Sequence, residues 1–165
     1  MKNKLIVIIL ICVGFFGYRV LNKNKTLSST FPQEFLDDRT NFGKVNQLFG
    51  EAMDLTKPPD DSGEPFTRPK DQENLFFSKL EEGIYLSNKI DNKFLDFIDP
   101  NLNDHFRNEY VRGNQLILEG SKSNSSTYDM GGVKKQFEGN QLIETWNVWW
   151  IANRDRLTEK AYPVN

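Results

Sequence analysis

The sequence predicts an all-α fold, a small helical bundle of three to four helices behind an N-terminal transmembrane helix. Apolar residues recur three and four positions apart in several segments, which is the spacing of one face of a helix. Clusters of proline, glycine and serine separate these segments. With 165 residues, of which 38% are hydrophobic and 13% aromatic, the chain can bury one hydrophobic core. We therefore expect one helical domain behind the membrane segment.

The N-terminus has the organisation of a membrane signal, with a short basic tail at residues 1–4 and an apolar segment at residues 5–21. This segment reaches 17 residues, the lower limit for crossing the bilayer core, when Arg19 extends towards the lipid headgroups. Bulky side chains such as Phe15 and Tyr18 occupy the region where cleavage requires small residues. We therefore expect a retained signal-anchor helix that makes the chain a single-pass membrane protein, with a buried core helix as the alternative.

Basic residues lie on both sides of this anchor, so the positive-inside rule gives a near balance between Lys2 and Lys4 on one side and Lys23 and Lys25 on the other. An uncleaved signal usually keeps its N-terminus inside and exports the rest of the chain. We therefore expect the helical domain on the non-cytoplasmic side of the membrane. Residues 22–32 are polar and aperiodic, which predicts a short tether.

Residues 33–56 form a predicted helical segment, and residues 57–70 form a predicted loop. The loop holds four of the seven prolines, which are incompatible with a regular helix or strand. We favour a linker here over a proline-rich interaction motif. The apolar residues at helical spacing in the preceding segment are Phe42, Val45, Leu48, Phe49 and Met53.

Residues 71–162 form the predicted main helical domain. One long helix is expected over residues 71–98, where Pro100 ends it, and a second helix over residues 100–120 should form a hairpin with the first. Serine-rich residues 121–132 predict a loop, and the last helix should cover residues 133–160. The core residues expected from helical spacing are Phe76, Leu80, Ile84, Phe106, Ile117, Leu142 and Trp146.

One pentapeptide occurs twice, as Gly113–Ile117 and again as Gly139–Ile143. The flanking residues differ, and two copies are too few for a stacked repeat architecture. We instead expect both helices to present Leu and Ile to one core, with a glycine where the two backbones approach closely.

Composition excludes several classes of function. The only cysteine, Cys12, lies in the apolar segment, and the only histidine is His105, so the domain has neither a thiolate ligand nor a pair of imidazoles. We expect no metal site and no cofactor. From Asn22 onward there are 18 basic and 23 acidic residues, a balance of −5 that argues against nucleic acid as a partner. We expect His105 to be a solitary histidine on a helix surface.

Three tryptophans lie within five residues, at Trp146, Trp149 and Trp150. Core packing is the favoured interpretation, because tryptophan at helical spacing contributes a large buried area. On a helix, Trp149 and Trp150 diverge by about 100° on either side of the stripe that contains Trp146, so all three cannot be buried equally. Trp149 and Trp150 are therefore the candidate partner-binding residues, with contact to a sugar or to the membrane surface as alternatives.

These observations favour a membrane-anchored, non-enzymatic interaction module that binds a protein partner at the membrane or in the cell envelope. One alternative is a membrane-proximal enzyme whose carboxylates converge only in three dimensions. The adjacent acidic pairs at 37–38, 60–61 and 81–82 are weak support for it, since neighbours on a helix do not face each other. Another alternative is a small inhibitor or immunity-type protein that acts by surface complementarity.

Overall fold

The computed structural model describes residues 31–57, 68–124 and 129–162. Within these ranges every regular element is helical, which confirms the all-α bundle, but it has five helices where three to four were expected, because the chain breaks between residues 87 and 92. The expected anchor at residues 5–21 and nearly all of the tether lie outside the described residues. Among the helices that the structure does describe, none is both long enough and apolar enough to cross a membrane. The helices are α1 (Leu36–Asp54), α2 (Lys70–Ser87), α3 (Asn92–Ile98), α4 (residues 102–124) and α5 (Met130–Ala161).

The first helix lies within residues 33–56, where the sequence predicts a helical segment. A 3₁₀ turn, Gln33–Phe35, leads into α1, whose apolar stripe packs into the core. Helix α1 pairs with α2, and the ion pairs Lys44–Glu82 and Lys79–Glu51 connect the outer edges of this helical hairpin. The predicted proline-rich loop joins the two helices, and its residues 58–67 lie outside the described ranges.

The single helix expected over residues 71–98 is wrong, because the chain turns between α2 and α3. The Asp91 side chain accepts a hydrogen bond from the Lys93 N–H at 2.8 Å and so caps the start of α3. The guanidinium of Arg107 donates to the carbonyls of Ser87 and Ile90, which lie at the end of α2 and in the turn. Apolar spacing continues through this turn, so periodicity alone does not reveal it.

The expected pairing of helices is also wrong. Helix α2 packs mainly on α1, whereas α4 packs along α5 in a second hairpin. The short helix α3 ends at Ile98, before the buried, extended Asp99 and the predicted break at Pro100. Because α3 lies between α2 and α4, these two helices cannot form the tight hairpin that the sequence suggested.

The serine and glycine content of residues 121–132 predicts a loop, but only part of this segment can be one. Helix α4 continues to Asn124 and α5 already begins at Met130, so residues at both ends of the predicted loop are helical. Asp129 caps α5 by accepting hydrogen bonds from the Gly131 and Gly132 N–H groups, both at 3.0 Å. Residues 125–128 lie outside the described ranges.

The close approach expected at the repeated pentapeptide is confirmed, and it is reciprocal. A Cβ atom added to Gly139 would lie 2.6 Å from the Gly113 carbonyl oxygen, and one added to Gly113 would lie 2.9 Å from the Gly139 oxygen. Seven residues along, Gly120 and Gly132 form a second pair of this kind, in which a Cβ atom added to either glycine would overlap the carbonyl oxygen of the other. The backbones of α4 and α5 therefore touch along this end of the hairpin, where only glycine fits.

The core lies where the two hairpins meet. Five of the seven residues expected in the core are buried, whereas Ile84 is half-buried at its edge and Leu142 is half-buried. The largest fully buried apolar side chains come from all five helices: Phe49, Phe76, Phe94, Phe106, Leu80, Leu95, Leu102 and Leu157.

Candidate functional site

An aromatic cluster lies where the core-facing side of α5 meets α4, at the end of this hairpin away from the glycine pairs. Its members are Phe106, Tyr110, Trp146, Trp149 and Trp150. Trp146 is 2% exposed and stacks on Tyr110 with ring centroids 4.8 Å apart and planes 12° apart. Phe106 meets Trp146 edge-on at 6.2 Å. Burial raises the pKa of the Tyr110 phenol well above its usual value, so this group is neutral and serves packing. Trp146 is thus a core residue.

Trp150 faces the other hairpin. Its ring stacks on Trp146 at 5.3 Å and approaches Phe42 of α1 at 6.3 Å. A cavity of about 10 Å³ beside it, also lined by Phe42 and Tyr162, has room for about one water molecule and not for an organic ligand. Trp150 is half-buried and packs against the core.

Trp149 is half-buried on the opposite side of Trp146 and stacks on His105, with ring centroids 4.3 Å apart and an interplanar angle of 22°. His105 Nδ1 lies 2.9 Å from Glu109 Oε2. The histidine expected to be solitary on the surface therefore has two partners and a largely covered side chain. The i to i+4 spacing to Glu109 was visible in the sequence, whereas the contact with Trp149, 44 positions away, was not.

His105 also begins an unusual stretch of backbone. Residues His105–Val111 form a π-helical segment inside α4, and the Arg112 N–H reaches the Arg107 carbonyl five residues earlier. Widened turns of this kind are frequent at functional sites. Here Asn114 donates to the Tyr110 carbonyl at 2.8 Å and is itself buried, so the wider turn is held by a side chain within the core. The segment faces the aromatic cluster and positions its rings.

The acidic pairs do not converge on a reactive site among the described residues. Asp38 accepts a hydrogen bond from the Asp91 N–H, while Glu81 and Glu82 pair with the lysines Lys122 and Lys44. The pair at residues 60–61 lies outside the described ranges. No group of three or more potential metal-ligating side chains occurs in the described part of the chain.

Helix α5 also carries apolar residues on the side opposite Trp146, which the spacing of apolar residues in the sequence did not single out. At 100° per residue, Phe137 and Val148 point away from the core, and the two residues are 62% and 68% exposed. We call this surface the outer face of α5. Its apolar residues are Met130, Val133, Phe137, Val148, Ile151 and Ala152, all of them exposed.

The outer face carries six exposed apolar residues, whereas the two tryptophans proposed from the sequence are half-buried. The rings of Trp149 and Trp150 contact His105, Trp146 and Phe42, whereas Phe137 and Val148 project into solvent. A role for Trp149 and Trp150 in partner binding stays a prediction.

No protein-family model matches this chain, and comparison finds no similar curated protein and no similar solved structure. The candidate site therefore rests on the geometry of the domain itself.

Proposed function

We propose that the chain is a membrane-anchored, non-enzymatic interaction module, and that the helical domain binds a protein partner at the membrane or in the cell envelope through the outer face of α5. The observation that carries this proposal is the row of exposed apolar residues on that face. Large exposed apolar patches on small domains mark interaction surfaces, because their exposure to water is unfavourable until a partner covers them.

The length of α5 suits this role. Its 32 residues extend over about 48 Å, with the exposed apolar residues distributed from Met130 to Ala152. The inner face is fixed by Trp146 and Leu157 in the core, so the outer face is presented on a rigid element. A rigid apolar face loses little conformational entropy when it binds, which favours affinity.

The anchor belongs to the same proposal. Residues 5–21 would hold the domain at the membrane, and the near-uniform apolar character of that segment and the bulky residues near its end support retention. Two measurements test this part. The mature chain should begin before Tyr18, and a reporter that works only outside the cytoplasm should be active when fused after Asn165. A mature N-terminus beyond Tyr18, or activity of a cytoplasm-only reporter instead, would contradict it.

Partner binding is tested by purification of the intact chain from detergent extracts after photo-cross-linking, with matched variants. Phe137→Ser removes an exposed ring from the outer face, and Tyr85→Ser removes a ring of similar exposure, 62% against 60%, from α2. We expect the cross-linked protein to be lost with Phe137→Ser and retained with Tyr85→Ser. Equal recovery with both variants would overturn the outer face as the binding surface.

The identity of the recovered protein separates subclasses of this proposal. A toxin or an enzyme whose activity is blocked by the complex would point to an inhibitor or immunity-type role. The enzyme alternative draws no support from Asp38, Glu81 and Glu82, because each pairs with a separate lysine or backbone group.

A further inference from the structure

The apolar residues on the outer face of α5 fall into two clusters of similar size. The N-terminal cluster comprises Met130, Val133 and Phe137, and the C-terminal cluster comprises Val148, Ile151 and Ala152. The exposed polar residues Gln141 and Glu144 separate them. Phe137 and Val148 are 11 residues apart, or about 16 Å along the helix.

With this spacing, two copies of α5 can pack against each other about an approximate two-fold axis. When two such helices lie antiparallel with their centre between Gln141 and Glu144, Phe137 of one copy faces Val148 of the other, and Val133 lies on the same side as Ile151, within one residue of its level. Each N-terminal cluster then covers the C-terminal cluster of the other copy. Such a contact is isologous and closes on itself, as in most homodimers.

The charges beside the clusters favour this orientation. The Lys134 side chain is largely exposed next to the N-terminal cluster, 3.8 Å from Glu138 of the same helix, and the Asp155 side chain is largely exposed one turn beyond Ile151, where it pairs with Arg154. An antiparallel pair brings Lys134 of one copy to about 6 Å, four residues along the axis, from Asp155 of the other, whereas a parallel pair places like charges together. Exposed ion pairs add little affinity, so these charges act mainly on orientation.

We propose that the occupant of the outer face of α5 is the same face of a second copy of this chain, in an antiparallel arrangement. This inference rests on the proposed function, because it names the partner of the same surface. The acidic residues Glu138, Glu144 and Asp155 on or beside this face disfavour an anionic bilayer surface as the occupant.

Cysteine cross-linking of the full chain in detergent tests the arrangement. Cys12→Ser removes the only native cysteine, and Phe137→Cys and Val148→Cys are then made as separate single variants. Both positions are exposed, so neither substitution disturbs the core. We expect a disulfide-linked dimer when the two variants are mixed and allowed to exchange, and little product from either variant alone, since equivalent residues would lie about 16 Å apart, beyond disulfide reach.

Three other results overturn the inference. Efficient self-cross-linking of each single variant would indicate a parallel pair. A mixed product no greater than that from Leu75→Cys with Tyr85→Cys, two exposed positions on α2, would indicate random encounters. Absence of any product would leave the face to a different occupant. If Phe137 is still needed to recover another protein from extracts, the proposed function stands and only self-association fails.

Light scattering in detergent gives a second measurement. Ile151→Gln on the outer face and Leu75→Gln on α2 alter side chains of equal exposure, 47% each. We expect Ile151→Gln to weaken dimerisation about tenfold or more and Leu75→Gln to leave it unchanged. A monomeric parent chain, or equal effects of the two substitutions, would contradict the inference.

Discussion

The two ends of the α4–α5 hairpin are packed by opposite means. Near the connection, Gly120 and Gly132 let the backbones touch, so a Cβ atom on either residue would overlap a carbonyl oxygen. At the far end the large rings of Tyr110 and Trp146 stack between the same two helices. The glycine contacts involve only α4 and α5, whereas the aromatic end also receives Phe42 from α1. Stability at one end depends on glycines, which have no side chain, and at the other end on large aromatic side chains.

The largest expected effect is at the aromatic end. Trp146→Ala should lower the free energy of unfolding by about 3–5 kcal/mol, because it empties a buried site between four other rings. Chemical denaturation of the parent and variant chains measures the difference. A loss below about 1 kcal/mol would show that the ring stack adds little, and the comparison of the two ends would then fail.

The glycine end should respond to a single added methyl group. Gly139→Ala places a Cβ atom 2.6 Å from the Gly113 oxygen, and we expect a loss of about 1–3 kcal/mol from the forced separation of the helices. Alanine is otherwise favoured over glycine in a helix by up to about 1 kcal/mol, so the sign of the effect is informative.

Gly131→Ala is the matched control for this substitution. Its added Cβ atom would approach no closer than 3.4 Å to Asp129, an ordinary contact. The control should be neutral or slightly stabilising in the same denaturation experiment. If Gly139→Ala is equally neutral, the two backbones are not locked together by the glycines.

A smaller effect should appear in acid, outside both ends of the hairpin. Burial alone would raise the pKa of Asp99, but hydrogen bonds from Arg156 and the Asn101 N–H, with the charges of Arg156 and Lys160, more than offset it and leave the pKa lowered. A carboxylate with a lowered folded pKa contributes stability above its unfolded pKa. That contribution is lost as the pH falls through the folded value.

Unfolding free energies measured from neutral pH down to about pH 3 test this expectation. The parent chain should lose stability on acidification, and Asp99→Asn should show a flatter pH profile with lower stability at neutral pH. Identical slopes for the two chains would show that another carboxylate dominates the acid response.

The smallest changes in the free energy of unfolding are expected for substitutions at the edges of the aromatic cluster. Trp149→Phe retains an aromatic ring beside His105 and should cost about 1 kcal/mol or less. Acrylamide quenching of the three single Trp→Phe variants should show that Trp146 is the most shielded indole. Equal shielding of Trp146, Trp149 and Trp150 would contradict the half-buried positions of the last two.

Local signals made much of the fold predictable. Apolar spacing located α1 and nearly all of α5, and the repeated pentapeptide indicated the contact between Gly113 and Gly139. The turn between α2 and α3 was missed because Ile90 and Phe94 continue the helical spacing across it. Asp91, a good helix N-cap residue, was the available signal. The choice of helix partners was missed because it depends on contacts between residues far apart in sequence.

The candidate surface was harder to foresee than the fold. Helix α5 has apolar residues on both faces, and the pattern alone does not say which face is buried. Trp146 and Leu157 indicate the inner stripe, while the serine and glycine residues around Met130 predict a loop there. Only the positions of α4 and of the other hairpin show that Phe137 and Val148 face away from the core.

The paired glycines also bear on the order of folding. They join residues 12 and 26 positions apart, whereas the contact of Phe42 with Trp150 spans more than a hundred. Short loops close with less entropy loss and therefore sooner. We expect α4 and α5 to pair early in folding, beginning near their connection, and α1 to pack against the aromatic rings later. Of the two ends of the hairpin, the glycine end would thus set how fast the domain folds, and the aromatic end how slowly it unfolds.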